Sequence, residues 1–188
     1  MPTELESKIK VDSHQPVRDR LRDAGASYIG KVLETNRILD RPDAHLLRTG
    51  CGLRIRQISI LDGVGPRDSI TFKGVKIPGK FKQREEHETS IDDANALAAI
   101  LAALGYTDKI VFEKRRESWR LDPCTIELDE IPQFGLFVEV EGPSEPAVES
   151  TLARLGLSDQ QSITESYVAL LMAGREPLTP RTVEFRFK

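Results

Sequence analysis

Cysteine is scarce in this chain. Cys51 and Cys124 stand far apart with no second pair to complete a metal-binding or disulfide pattern. That excludes a disulfide framework and a structural zinc site, and it suits a reducing cytoplasm, the compartment we expect. Long apolar runs are missing too. No window approaches the roughly 18 consecutive apolar residues that a membrane-spanning helix requires, and the start, Met1-Pro2-Thr3-Glu4-Leu5-Glu6, lacks a basic stretch followed by an apolar one. A basic excess is absent as well: 27 Lys and Arg stand against 30 Asp and Glu, for a net charge of −3. General nucleic-acid or membrane-surface binding is therefore not expected, and any anion site must be a local cluster of bases. There is no glycine-rich strand-to-helix phosphate loop, so a nucleotide would not be held in the P-loop manner.

What remains is a chain of 188 residues, enough for one domain. Short alternating runs dominate it: Glu4–Val11, Tyr28–Asp40, Leu53–Leu61, Ser69–Lys76, Lys80–Ile91, Lys109–Leu121, Cys124–Ile131 and Leu136–Gly142. Turn chemistry such as Pro78-Gly79 and Asp122-Pro123 separates several of them. Helices are expected after Ser13, after Asp92 and in two closing segments, the second opened by Ser162 and Glu165 and running to about Gly174. The expected fold class is α+β, a closed eight-stranded antiparallel β-barrel with helices packed outside. Residues 1–174 would form that domain and 175–188 a C-terminal tail without an assigned place.

The charges carry the functional signal. Successive side chains of a strand point to opposite faces. On the first run Leu5, Ile9 and Val11 share one face while Glu4, Glu6, Lys8 and Lys10 share the other. The same sorting places Arg54 with Arg56, Lys82 and Arg84 with Glu86 and Glu88, Lys114 with Arg116, Glu127 with Asp129, and Glu139 with Glu141. A solvated sheet face is often charged, and for one strand that explanation suffices. Across all of them it weakens, because solvated faces usually mix charges with neutral polar residues. If the apolar faces pack on helices, the charged faces line a lumen. Unpaired charge in such a space is costly, and a polyphosphate with a divalent metal satisfies both signs. Arg and Lys compensate phosphate oxygens, while carboxylates hold Mg²⁺ or Mn²⁺.

Glu4-Leu5-Glu6-Ser7-Lys8 also resembles the Glu-x-Glu-x-Lys signature of the CYTH superfamily, the triphosphate tunnel metalloenzymes. The later landmarks, in order along the chain, are Leu53-Arg54-Ile55-Arg56, Thr71-Phe72-Lys73, Arg84-Glu85-Glu86-His87-Glu88, Lys114-Arg115-Arg116, Glu127-Leu128-Asp129 and Phe137-Val138-Glu139-Val140-Glu141. Ser166-Tyr167 with Leu170-Leu171 is similar to the family's closing helix, so the match spans nearly the whole chain. The resemblance implies an enzyme using Mg²⁺ or Mn²⁺ on a small-molecule triphosphate. Lys8, Glu4 and Glu6 would be catalytic. Lys8, Arg54, Arg56, Lys73, Arg84, Lys114 and Arg116 would bind phosphates. Glu4, Glu6, Glu139 and Glu141 would hold the metal, with Glu86, Glu88, Glu127 and Asp129 either reaching it or holding the bases in place. A triphosphatase acting on inorganic or thiamine triphosphate is the leading expectation, with a class IV adenylate cyclase and a non-catalytic polyphosphate-binding barrel as alternatives. The resemblance also allows a homodimer. Near Asn36–Asp40 this chain carries Ile38 and Leu39 where many relatives have aromatic residues, which counts against base stacking there. His14, His45 and His87 are read as ordinary surface positions, and Phe112, Trp119, Cys51 and Cys124 as packing residues.

Overall fold

The computed structural model describes residues 5–77, 83–175 and 182–188. Eight of the alternating runs form strands: β1 (Leu5–Val11), β2 (Ser27–Asp40), β3 (Gly52–Gly63), β4 (Ser69–Ile77), β5 (Gln83–Ser90), β6 (Thr107–Leu121), β7 (Cys124–Ile131) and β8 (Gly135–Gly142). They pair antiparallel in the order β1-β8-β7-β6-β2-β3-β4-β5. The long strands β2 and β6 form the centre, and the two flanks curl toward each other. Among the described residues β1 and β5 make no ladder with each other, so the closure expected of a full barrel is reduced to a deep trough. The hairpin turn at Asp122-Pro123 joins β6 to β7 as its sequence suggests, with that peptide bond in cis.

A ninth strand, β9 (Val183–Phe185), lies within the stretch that its sequence left unplaced. It runs parallel to β6 at Ile110–Phe112, beyond the point where β7 stops. Five helices complete the described chain: α1 (Gln15–Asp23), α2 (His45–Arg48), α3 (Ala94–Ala103), α4 (Glu145–Arg154) and α5 (Tyr167–Met172).

Two helix groups cover the apolar flanks of the sheet's outer face. Val17 and Leu21 of α1, with Val148 and Leu152 of α4, pack on Ile9, Trp119, Ile126, Leu128, Val138 and Val140. On the other flank Ala94 and Ala98 of α3 pack on Leu39 and Ile55. These are the apolar halves of the alternation, and burying them fixes the register, because a one-residue slip would send every charge outward. The helix α5 departs from the expected outer position. Its Leu171 joins Ile38, Ile110, Phe112 and Phe137, which belong to the inner face, so α5 lies across one end of the trough. At the far end of β2 the chain leaving β3 approaches so closely that a Cβ on Gly30 would meet the Val64 carbonyl oxygen at 2.1 Å.

Three caps differ from their sequence assignment. His14 is the N-cap position of α1 with no side-chain cap bond, Asp93 caps α3 through the Ala96 amide, and Ser166 caps α5. Ser13 and Ser162 are used otherwise: Ser13 Oγ accepts from the Gln15 amide, and Ser162 Oγ lies 3.0 Å from Ser7 Oγ. His14 is buried, not a surface residue, and its Nε2 sits 3.0 Å from the Phe137 carbonyl oxygen.

Candidate active site in the lumen

Strand pleating brings the charged halves of the alternation together. Glu6 and Lys8 of β1, Arg54 and Arg56 of β3, Lys73 of β4, and Arg84, Glu86 and Glu88 of β5 line one cavity. Lys114 and Arg116 of β6, Glu127 of β7, and Glu139 and Glu141 of β8 line the same cavity, whose volume is about 1280 Å³. Glu4 and Lys82 fall outside the described residues. Asp129 sits deeper than expected. It is fully buried beneath the bases, 3.3 Å from Lys114 Nζ and 2.6 Å from Arg116 Nη2, and so holds the bases in place.

The acids and bases are unevenly spread over the lumen. Carboxylates gather on β1, β7 and β8, where the register sets Glu127 directly opposite Glu139 and Glu6 directly opposite Glu141. Like charges directly opposite each other destabilise a sheet unless a cation intervenes. Two bases intervene here. Lys8 Nζ lies 3.3 Å from Glu6 and 3.2 Å from Glu139, with Glu165 O accepting a further bond at 3.0 Å. Burial works against the Lys8 charge, and Glu139 and Glu6 more than offset it, leaving its pKa above the usual value. Arg116 donates to Asp129 and to Glu139. Glu127 accepts from Ser118 Oγ at 2.5 Å, and burial pushes its carboxyl up from the usual range.

The bases on the other flank are less well compensated. Arg54 and Arg56 sit two apart on β3 and point the same way, and each has a buried Nε with no hydrogen-bond partner. Burial and the Arg56 charge hold Arg54 below the usual arginine range. Lys73 Nζ is spent on Glu86 at 2.7 Å.

Sequence reasoning missed two residues. Glu34 of β2 is buried at 1% exposure, 3.2 Å from Lys114 Nζ, 3.6 Å from Arg56 Nε and 3.9 Å from Arg116 Nε. Those bases overcome its burial and hold its carboxyl far below the usual range. The alternation of Val32, Glu34, Asn36 and Ile38 was the available signal, and Asn36 Nδ2 donates to Glu34 at 3.2 Å. The second is Tyr167 of α5. Its hydroxyl donates to Asp129 at 2.9 Å, and its ring centroid lies 4.3 Å from Lys8 Nζ. Phe112 is buried as expected but faces the lumen, and Trp119 packs outside with its indole N–H donated to Glu117 at 2.9 Å.

The donor chemistry fits a divalent metal. Glu6, Glu127, Glu139 and Glu141 offer hard oxygen atoms from adjacent strands, the type Mg²⁺ and Mn²⁺ prefer. As placed, Glu139 is engaged by Lys8 and Arg116 and Glu127 by Ser118. No group of three or more metal-ligating side chains is drawn together among the described residues. Loading would therefore require those carboxylates to exchange ion pairs for the metal. No described helix is long and apolar enough to cross a membrane.

Comparison with known proteins agrees with this architecture. A protein of Methanocaldococcus jannaschii named "Putative adenylate cyclase" is 30% identical over 138 residues, 73% of this chain and 75% of that protein. A solved structure from Pyrococcus horikoshii OT3 is 26% identical with a TM-score of 0.77, covering 92% of this chain and 99% of that one. A Hippeastrum protein superposes with a TM-score of 0.71 at 19% identity, covering 94% of this chain and 98% of its own. It is described as a "Putative adenylyl cyclase" with a dominant triphosphatase activity. The family model of the CYTH domain matches residues 2–167, nearly the whole fold described above, and the chain belongs to that family.

Proposed function

We propose that the protein is a divalent-metal-dependent enzyme that binds the triphosphate group of a small molecule in the lumen and hydrolyses it. The observation that carries this reading is the Arg54–Arg56 pair, two half-buried guanidinium groups whose buried Nε donors have no hydrogen-bond acceptor and which line the same cavity as a carboxylate-rich flank. A phosphate chain supplies the acceptors those donors lack, and the planar guanidinium fork matches its oxygens. Arg84, Lys73 and Lys114 would extend the contact along the chain, and Lys8 and Arg116 would face the phosphate nearest the acidic flank. A metal held by Glu6, Glu139 and Glu141, with Glu4 and Glu127 in support, would neutralise charge developing between phosphates. Phosphoryl transfer asks mainly for such neutralisation and for alignment of the attacking group. Glu86 and Glu88 hold Lys73, Arg84 and Arg54 in this reading, since Glu86 is paired to Lys73 and Glu88 lies 3.5 Å from Arg54.

A second reading is supported by the name of the Methanocaldococcus relative: cyclisation of ATP to cyclic AMP with release of pyrophosphate. Both reactions use the same phosphate contacts and differ in the attacking group. Hydrolysis is preferred because it demands no nucleoside pocket, and the Hippeastrum protein lends it support.

The test is product analysis with inorganic triphosphate, thiamine triphosphate and ATP, each with Mg²⁺ or Mn²⁺. Orthophosphate release abolished in Glu6→Gln, with the fold intact, is the expected result. Cyclic AMP and pyrophosphate from ATP would establish the cyclase instead. Binding of triphosphate without turnover under either metal would leave a non-catalytic binding barrel.

A further inference from the structure

The family match ends at Tyr167, the first residue of α5. The rest of α5 and the C-terminal segment lie beyond it, and they close one end of the lumen. Val168 and Met172 of α5, Leu47 of α2, and Ile38, Ile110 and Phe112 of the sheet form an apolar end to the cavity that holds the charged cluster. An α-helix of six residues is too short to hold its own position. Something must fix it there.

The C-terminal segment does so. Its β9 ladder on Ile110–Phe112 is tied at both ends: Thr182 Oγ1 donates to the Asp108 carbonyl at 3.0 Å, and the Phe187 amide donates to Glu113 at 2.8 Å. Between these ties Phe185 is buried at 2% exposure in one cluster with Leu171 of α5. Arg175, just after α5, couples the two. Its Nε donates to the Leu171 carbonyl at 3.0 Å while its guanidinium stacks 4.8 Å from the Phe185 ring centroid. Helix end, arginine and phenylalanine form one packed unit.

We propose that the C-terminal strand is a specificity element: Phe185, acting through Leu171 and Arg175, fixes α5 across the apolar end of the lumen and so sets the room left for the organic group of the triphosphate substrate. Phe185 is a positioning residue, since Val168 and Met172 line the space and Phe185 packs behind them. The specificity role rests on the proposed function, whereas the fixing of α5 does not.

The experiment uses the full chain with Phe185→Ala and the conservative Phe185→Leu. Amide hydrogen exchange of Tyr167–Met172 is measured beside kcat/KM for inorganic triphosphate and for methyl, phenyl and adenosine triphosphates. In Phe185→Ala, α5 should lose protection while β7 and β8 keep theirs. The preference for the larger esters over inorganic triphosphate should shift by about tenfold, the order that a change of pocket size commands. Phe185→Leu should return most of both effects. Unchanged protection of α5, or a parallel change for every substrate, would overturn the proposal. If Phe185→Ala loosens α5 but the unsubstituted protein neither binds nor turns over any triphosphate, the function and the specificity role are retracted together, and only the mechanical lock stands.

Discussion

Glu127 and Glu139 stand directly opposite each other on β7 and β8, both facing the lumen, with Arg116 between them. This arrangement is unfavourable for an isolated sheet and favourable for a cation site. Adding Mg²⁺ or Mn²⁺ should raise the melting temperature in a saturable way, because a ligand that binds only the native state stabilises it by mass action. Glu127→Gln should raise the melting temperature of the metal-free protein and diminish the metal-induced increase. Thermal denaturation with and without metal reads both; equal metal responses in parent and variant would remove Glu127 from the metal site.

Arg54 and Arg56 repel each other in the unliganded lumen. Replacing Arg54 with Gln should leave the melting temperature unchanged or slightly higher, whereas Arg56→Gln should cost stability because Arg56 lies 3.6 Å from the buried Glu34. Either change should weaken tripolyphosphate binding by about tenfold or more, since a charge-assisted bond contributes roughly 1.5–3 kcal/mol. Calorimetric titration with tripolyphosphate decides this. Loss of stability with affinity preserved would make the pair structural.

Glu34 does the opposite work. It compensates Lys114, Arg56 and Arg116 from within the sheet. Glu34→Gln should cost roughly 3–5 kcal/mol of stability, because breaking a buried ion pair leaves uncompensated charge. The same change removes a negative charge beside the phosphate-facing bases, so tripolyphosphate should bind the variant more tightly and restore part of the lost stability. Urea denaturation with and without tripolyphosphate tests the pair of effects.

His14 gives a pH dependence with a definite sign. Its burial lowers its pKa in the folded state, and the Phe137 carbonyl, which can only accept, keeps a proton on Nε2 of the neutral ring. The unfolded chain then binds more protons than the folded one as pH falls through the usual histidine range near 6.5. Stability should therefore decline on acidification below that range. His14→Gln, which retains a donor for Phe137, should flatten the slope between about pH 5 and 7. An unchanged slope in denaturation curves across that window would assign it to other groups.

Much of this architecture was legible along the chain, because its rules are local. The period-two alternation of Leu5–Val11 or Phe137–Glu141 fixes which side chains share a face before any partner strand is known. The turn residues then divide the runs into strands. Helix caps were less legible. Asp92 and Asp93, or Ser162 and Ser166, offer the same chemistry to the next amides, and only the packed position of the helix selects between them.

The order of residues along the chain dictates that charges sort onto one face of most strands, with Arg, Lys and carboxylate in separate blocks. It could not determine which acid meets which base. Glu34 reads as one charge in a mostly apolar run, and its place among Lys114, Arg56 and Arg116 comes from β2 lying between β3 and β6. Tyr167 reaches Asp129 and Lys8 from far along the chain, and Phe185 packs in one cluster with Leu171, a contact no local rule specifies. The pairing of strands distant in sequence, and the docking of a short helix and a terminal strand against them, are cooperative outcomes of burying every apolar face at once. No local pattern encodes them, so how the lumen is compensated and what closes its end emerge only when the strands assemble.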